Sequence, residues 1–402
     1  PGLALASMPF GAVGVAIEHL LGAPGSGDEP TVRRTLAEVR ATPSAFFTGL
    51  VNPVVSALLI ALFFWIASGS TQSVRWATLV SVMLGLSTII WPYATTYWTQ
   101  PLATLAAFGS FVLLARAGKG GRLGVAAVSG LLAGVGLWSR YELLFVVPWL
   151  MLFVVVEEPG SNRRRGELLL AFLGPVLIAA VMLMSWNHLR FGSALDVGSL
   201  HQKMLGASFR ADLRLSLPAN LVGLGHSVFV YSPPLILSCF GIPAFFRRQR
   251  AMALTTIGIV ATGLILYSAF TLWDAAGCWG PRFLVVLTPF MLLPAVMFRP
   301  DRPWRRVLVI SLLLIGLGVQ LIPALVPYQH GAVARHLADH QWPHRAFTTT
   351  EIVPHFRQLA GGAIELWWLR TPVLGAIGMC LILIQVWAAR SLIRIVPKSA
   401  SR

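Results

Sequence analysis

Residues 123–156 read LGVAAVSGLLAGVGLWSRYELLFVVPWLMLFVVV, one apolar run interrupted only at Ser139-Arg140-Tyr141-Glu142. A helix needs about 20 mostly apolar residues to cross the hydrocarbon core of a bilayer. The run is too long for one crossing, and its polar break falls where a turn between two crossings belongs. An open sheet would leave backbone groups unpaired in lipid, so both halves are helices. This stretch decides the fold class: a helical hairpin inside a membrane.

The same pattern extends in both directions. Apolar segments long enough to cross, some short or interrupted by proline, occur at 46–67, 77–95, 98–115, 123–138, 141–156, 168–186, 228–246, 251–270, 283–298, 307–327 and 371–389. The expectation is an all-α, polytopic transmembrane bundle of about 11 spans with external loops and short juxtamembrane helices. Composition agrees: 56% of the 402 residues are hydrophobic and only 11% charged, where a soluble domain is nearer half and about a quarter. Mean hydropathy is +0.73. No repeat, low-complexity tract or separable soluble domain stands out. The chain reads as one integral-membrane domain, 1–402. It comprises an external juxtamembrane segment (1–45), a main bundle (46–327), an external loop (328–370), and a last span with a cytoplasmic tail (371–402).

Lys and Arg in the connections orient the spans, because cytoplasmic loops carry the excess. Alternate short loops hold Arg75; Arg116, Lys119 and Arg122; Arg163, Arg164 and Arg165; Arg247, Arg248 and Arg250; and Arg299, Arg302, Arg305 and Arg306. The tail adds Arg390, Arg394, Lys398 and Arg402. These belong inside, which puts residue 45 outside and residue 402 inside. The net charge of +16 is then mostly a topology signal plus attraction to anionic lipid. Basic residues scattered over short turns make no groove for nucleic acid, and no such partner is expected.

Cysteine and histidine add little. Cys239 and Cys380 lie within spans and only Cys278 outside, so no disulfide is implied. His330, His336, His340, His344 and His355 share one external loop. His336 and His340 are four apart, but no Glu lies between them in the metalloprotease sense, and no metal site is expected.

The polar residues gather on the external side. They include Trp91-Pro92-Tyr93, Ser139–Glu142, and the segment Trp273-Asp274-Ala275-Ala276-Gly277-Cys278-Trp279-Gly280-Pro281-Arg282 between two apolar runs. Charges near a membrane helix end are costly and are usually paired or functional. Arg140 and Glu142 read either as a hairpin tip snorkelling to water or as a cation site for an anionic lipid-linked group. Arg282 reads either as a juxtamembrane anchor among tryptophans or as a phosphate partner whose planar fork donates two hydrogen bonds.

Several of these motifs, taken in order, resemble those of bacterial GT-C membrane glycosyltransferases, the mannosyltransferase-like and RgtA/B/C/D-like group. They are the 277–282 turn GCWGPR, 85–93 GLSTIIWPY, 134–142 GVGLWSRYE, 190–193 RFGS and 230–234 VYSPP. The resemblance covers most of residues 45–300. It implies a GT-C-like fold in the bacterial inner or cytoplasmic membrane. It further implies transfer of a sugar from a polyprenyl-phosphate donor to an acceptor glycan, lipid or protein on the external or periplasmic face.

The resemblance also implies roles for residues. Arg282 and Arg140 match positions for phosphate binding, and Glu142 is a further substrate-binding candidate. Tyr93, Tyr141, Tyr231, Trp273 and Trp279 would stack on sugar or cover the lipid, or serve as an interfacial belt. Such enzymes use an acid in the first external loop as base on the acceptor hydroxyl. Pro1-Gly2-Leu3-Ala4-Leu5 and Met8-Pro9-Phe10 resemble the amphipathic segment after that loop, so the principal acid is expected upstream of residue 1. Alternatively residues 3–22 end the first span and Asp28-Glu29 supplies the acid. Asp274 is the other catalytic candidate, and Asp196 a further external acid. No cofactor is indicated. A different class remains open: a transporter or flippase for a lipid-linked or anionic substrate. Against it, the span interiors lack Asp, Glu, Lys and Arg, and the polar content gathers on one face.

Overall fold

The break at Arg140 is a true helix end. Helix α7 (Leu123–Ser139) stops where Arg140 becomes extended, at φ −152° and ψ 105°, and a 3-10 turn over Tyr141–Phe145 leads into α8 (Val146–Glu157). The computed structural model describes residues 2–20, 43–71, 73–118, 122–157, 161–198, 208–274, 278–326, 350 and 352–362. Among these the chain is helical, without a strand.

Preceding α7 are α1 (Gly2–Leu20), α2 (Pro43–Gly49), α3 (Val51–Ser70), α4 (Val74–Leu86), α5 (Ile90–Ala94) and α6 (Gln100–Gly118). Following α8 are α9 (Asn162–Phe191), α10 (Leu213–Val222), α11 (Val228–Tyr231), α12 (Ile236–Arg248) and α13 (Arg250–Ala269). The segment 282–297 is α14 (Thr288–Leu292) between two 3-10 turns, and α15 (Pro303–Leu325) and α16 (Ile352–Ala360) complete the described chain. Side chains start several helices: Ser73, Ser161 and Asp212 each accept from a backbone N–H of the first turn. Gly192, left-handed at φ +73°, ends α9.

Five helices are long and apolar enough to cross a membrane: Phe47–Ser70, Gln100–Ala117, Asn162–Phe191, Arg250–Ala269 and Pro303–Leu325. The chain is accordingly a helical membrane protein. The uniform eleven-span picture needs correction at several places. Segment 77–95 is two helices parted at Ser87–Ile89. Segment 228–246 is broken at Pro233-Pro234, and 283–298 alternates 3-10 and α around Pro289 and Pro294. Proline lacks the N–H that would continue the ladder, so these segments bend where a hydropathy window sees continuity. Segment 371–389 lies outside the described residues.

Residues 2–20 depart from the amphipathic expectation. Leu3 is buried while Leu5, Met8, Val13, Val15 and Leu20 are exposed, so apolar side chains cover both faces. An interface-lying helix would present a charged or polar face instead.

Without a hydrophobic driving force between helices in lipid, packing and close backbone approach hold the bundle. Gly130 and Gly134 bring α7 onto α9: a Cβ on Gly130 would fall on the Phe172 carbonyl, and one on Gly134 would lie 2.6 Å from the Ala179 Cβ. Trp138 Nε1 donates to the Ala179 carbonyl at 2.9 Å, and Ser129 Oγ to the Ser110 carbonyl at 2.7 Å. Phe108, Phe111, Phe153 and Phe290 form an aromatic centre with ring separations of 5.1–6.1 Å. One end of the bundle is basic. There Trp76 Nε1 reaches the Ala295 and Val296 carbonyls, Ser70 bonds Gln249, and Arg305 lies over Phe298. The polar and aromatic residues meet at the other end.

Candidate functional site

Arg140 leaves the end of α7, and the 3-10 turn carries Glu142 back toward it. Arg140 Nε donates to Glu142 Oε1 at 2.5 Å and its Nη2 contacts the same oxygen. Both side chains are 14% exposed. The Arg140 guanidinium also lies 5.3 Å from the centre of the Phe283 ring, and that of Arg282 lies 5.0 Å from the same centre. Two cations far apart in sequence thus share one ring.

Arg282 is set in place by its neighbours. Gly280 has φ +58°, a conformation glycine adopts freely, and a Cβ there would strike the Tyr231 ring at 2.7 Å. Pro281 follows, and Arg282 opens the 3-10 turn. Its guanidinium lies 4.6 Å from the Trp98 ring centre, and Nη1 donates to Cys278 Sγ at 3.3 Å. Its Nε is buried with no acceptor. Asn52 of α3 holds the Trp98 segment by donating to the Thr96 carbonyl at 2.5 Å and to the Trp98 carbonyl at 2.8 Å. Burial pushes the Cys278 thiol above its ordinary value, against the pull of Arg282, so it stays protonated at neutral pH.

A cavity of about 250 Å³ opens beside Arg140. Thr99, Ser139, Arg140, Glu142 and Tyr267 are its polar lining residues, and Tyr141, Phe270 and Phe283 form much of its wall. Phe209 also lines it, and the segment before Ala211 is pinned to the end of α13. Thr271 N donates to the Ser208 carbonyl at 2.7 Å, and Ala211 N to the Ala269 carbonyl at 3.0 Å. Tyr267 stacks on Phe283 with ring centres 5.8 Å apart and planes 13° from parallel.

Tyr93, Tyr231 and Trp279 sit apart from this cavity as an enclosed wall. All three are buried. Tyr93 Oη donates to the Trp279 carbonyl at 3.0 Å, Trp279 Nε1 to Gln320 Oε1 at 3.2 Å, and Gln320 Nε2 to the Tyr231 carbonyl. Tyr231 and His355 each meet Trp279 edge-on, at 5.3 and 5.5 Å. As placed, these three aromatics present no open face to a sugar; they fix the turn that carries Arg282. Trp273 is buried too, against His226 at 5.4 Å. Tyr141, 41% exposed, is the one of the five with an open face on the cavity.

Gln320 was invisible in the sequence reading, because one neutral amide barely lowers the hydropathy of α15. Gln320→Leu removes the Trp279 acceptor and the Tyr231 donor together. It should lower stability by about 2 kcal/mol, the cost of stranded buried polar groups. A melting midpoint equal to wild type would remove Gln320 from the support of this wall.

The acids fall elsewhere. Asp274 is buried and acts electrostatically on Cys278, outside the cavity lining. Asp196 accepts from Gly198 N at 2.8 Å, a local turn bond. Asp28, with His330, His336, His340 and His344, lies outside the described residues. Among the described residues no group of three or more His, Cys, Asp or Glu is placed to hold a metal.

Thr99, Phe209, Leu266, Tyr267 and Phe270 line the cavity without having stood out in the sequence, Tyr267 because it lies inside a segment that reads as uniformly apolar. A signal existed: Tyr93, Tyr97, Tyr141, Tyr231 and Tyr267 all lie toward this end of the bundle. No protein-family model matches the chain, and no similar curated protein or solved structure is found. Function has to be read from the geometry of this site and the motif resemblance.

Proposed function

We propose that the chain is the membrane domain of a GT-C-like glycosyltransferase. It moves a sugar from a polyprenyl-phosphate donor to an acceptor on the non-cytoplasmic face of a bacterial cytoplasmic membrane. The observation that carries the reading is the meeting of Arg140 and Arg282 on Phe283, beside a cavity at the end of the bundle opposite the basic one. Arg282, rather than Arg140, which Glu142 neutralises, is the cation aimed at the leaving phosphate; such a cation stabilises charge as it develops, and a water-poor site strengthens it. The positive-inside rule puts this end outside. Because Glu142 is held by Arg140, the candidates for the base on the acceptor hydroxyl are the carboxylates of Asp28 and Asp274.

Arg282→Ala, assayed in membranes with labelled polyprenyl-phosphate hexoses and pentoses, should lower transfer by about 10²–10³-fold. Expression and insertion should stay at wild-type levels. Arg282→Lys should recover part of the loss, since a point charge replaces the two-pronged contact. Unchanged transfer by Arg282→Ala would remove Arg282 from the mechanism. Absence of transfer by the wild-type protein from every such donor would defeat the proposal.

A further inference from the structure

We infer that the cavity beside Phe283 receives the uncharged sugar ring itself, held by Tyr267 and the Arg140–Glu142 pair, while the phosphate falls to Arg282 alone. The ligand's identity as a sugar rests on the transferase reading above. The division of labour rests on four features of the site.

The Oη of Tyr267 is buried and has no hydrogen-bond partner in the protein, and the residue, only 4% exposed, is part of the cavity lining. A buried hydroxyl left unsatisfied is unfavourable, and a ligand hydroxyl is the partner such a group can use. Second, Arg140 is already neutralised. Both of its contacts to Glu142 use Oε1, so the pair offers a second carboxylate oxygen and further guanidinium donors with little net charge. A phosphate placed here would face the carboxylate; a ring of hydroxyls, which both donate and accept, matches the pair.

Third, the walls are flat and apolar: Tyr141, Phe209, Phe270 and Phe283. Faces of this kind with a few convergent polar groups suit a ring that is apolar on its faces and polar on its edge. Fourth, the cavity volume of about 250 Å³ lies below the roughly 300 Å³ lower bound of drug-sized pockets, a size suited to a single ring. Arg282, outside this lining, keeps a buried Nε without an acceptor and a weak sulfur partner, the condition of a cation open to an anion.

The full chain in lipid nanodiscs allows a direct test with two separated probes. Methyl glycosides of hexoses and pentoses carry a ring without phosphate, and decyl phosphate carries phosphate without a ring. Saturation-transfer NMR should show at least one methyl glycoside bound. Tyr267→Phe should weaken it about fivefold, the effect of one lost hydrogen bond, with a melting midpoint equal to or above wild type because the buried hydroxyl has no protein partner to lose. The uncharged double variant Arg140→Gln/Glu142→Gln should weaken it more than tenfold. Arg282→Ala should abolish decyl phosphate binding and spare the glycoside.

Three results would overturn the inference: no glycoside bound by the wild type, Tyr267→Phe lowering the melting midpoint without changing affinity, or decyl phosphate displacing the glycoside in a manner dependent on Arg140. Ring binding through Tyr267 without transfer from any polyprenyl-phosphate donor supports the inference and defeats the transferase reading. Transfer without ring binding at Tyr267 does the reverse.

Discussion

Gly130→Val is expected to cost about 3 kcal/mol or more and to remove most of the folded protein, since overpacking against atoms that cannot move is at the upper end of such effects. The added Cβ would meet the carbonyl oxygen of Phe172, with its carbonyl carbon at 2.9 Å and its Cα at 3.2 Å. These are backbone atoms of α9, so no rotamer change relieves the clash. The helices cannot simply part, because bonds on either side lock their registers. Ser129 donates to Ser110 of α6, and Trp138 to Ala179 of α9. Separation would also open the α7–α9 seam that leads to Arg140. Gly318→Ala is the control of opposite sign: nothing lies within 4 Å of the added Cβ, and removing a helix-interior glycine should stabilise by roughly 0.5–1 kcal/mol. Melting of the detergent-solubilised protein, with folded yield, measures both. A Gly130→Val midpoint equal to wild type would mean that α7 and α9 do not pack through this glycine.

Glu142→Ala should cost about 3–5 kcal/mol, because it strands Arg140 as a buried cation without its partner. Phe283 would still face the guanidinium at 5.3 Å, but an aromatic face returns only about 1–2 kcal/mol. The double variant Arg140→Met/Glu142→Leu should recover most of the loss, since replacing a whole buried pair with apolar groups of similar volume is often neutral. That recovery separates a stability role from a binding one: the double variant should fold and still fail to bind methyl glycosides. If Glu142→Ala melts like wild type, the pair is solvated and the cavity floor is not a neutralised buried pair. Equal melting of the single and double variants at a lowered midpoint would show that packing, not charge, is what Glu142 supplies.

The elements differ in how visible they were. The helix end at Arg140 was legible because charges near a membrane helix end are costly enough to fix a turn. The whole of α13 was legible as a span for the same reason in reverse, and that uniformity concealed Tyr267. Gln320 was hidden likewise in α15. The interruptions at Pro233-Pro234 and within 282–297 were written in the prolines but averaged away by a window as wide as a span. The aromatics Tyr93, Tyr231 and Trp279 stood out in the sequence only as residues suited to a ligand face or to an interfacial belt. Whether each faced a ligand or a neighbour depends on what lies above it, and composition does not contain that.

Sequence by itself determined the helical membrane class, the two ends of the bundle and the gathering of arginine, tyrosine and tryptophan at one of them. Hydropathy and charge act locally along a helix, so a single chain is enough to read them. Only the tertiary structure decided that Glu142 cancels Arg140, that Arg282 keeps a buried nitrogen without a partner, and that Tyr267, its hydroxyl unpartnered, lines the cavity beside Arg140. Those facts are set by which side chains α7, α13 and the 282–287 turn present to one another. Packing across the bundle fixes that choice, and no periodicity along the chain encodes it.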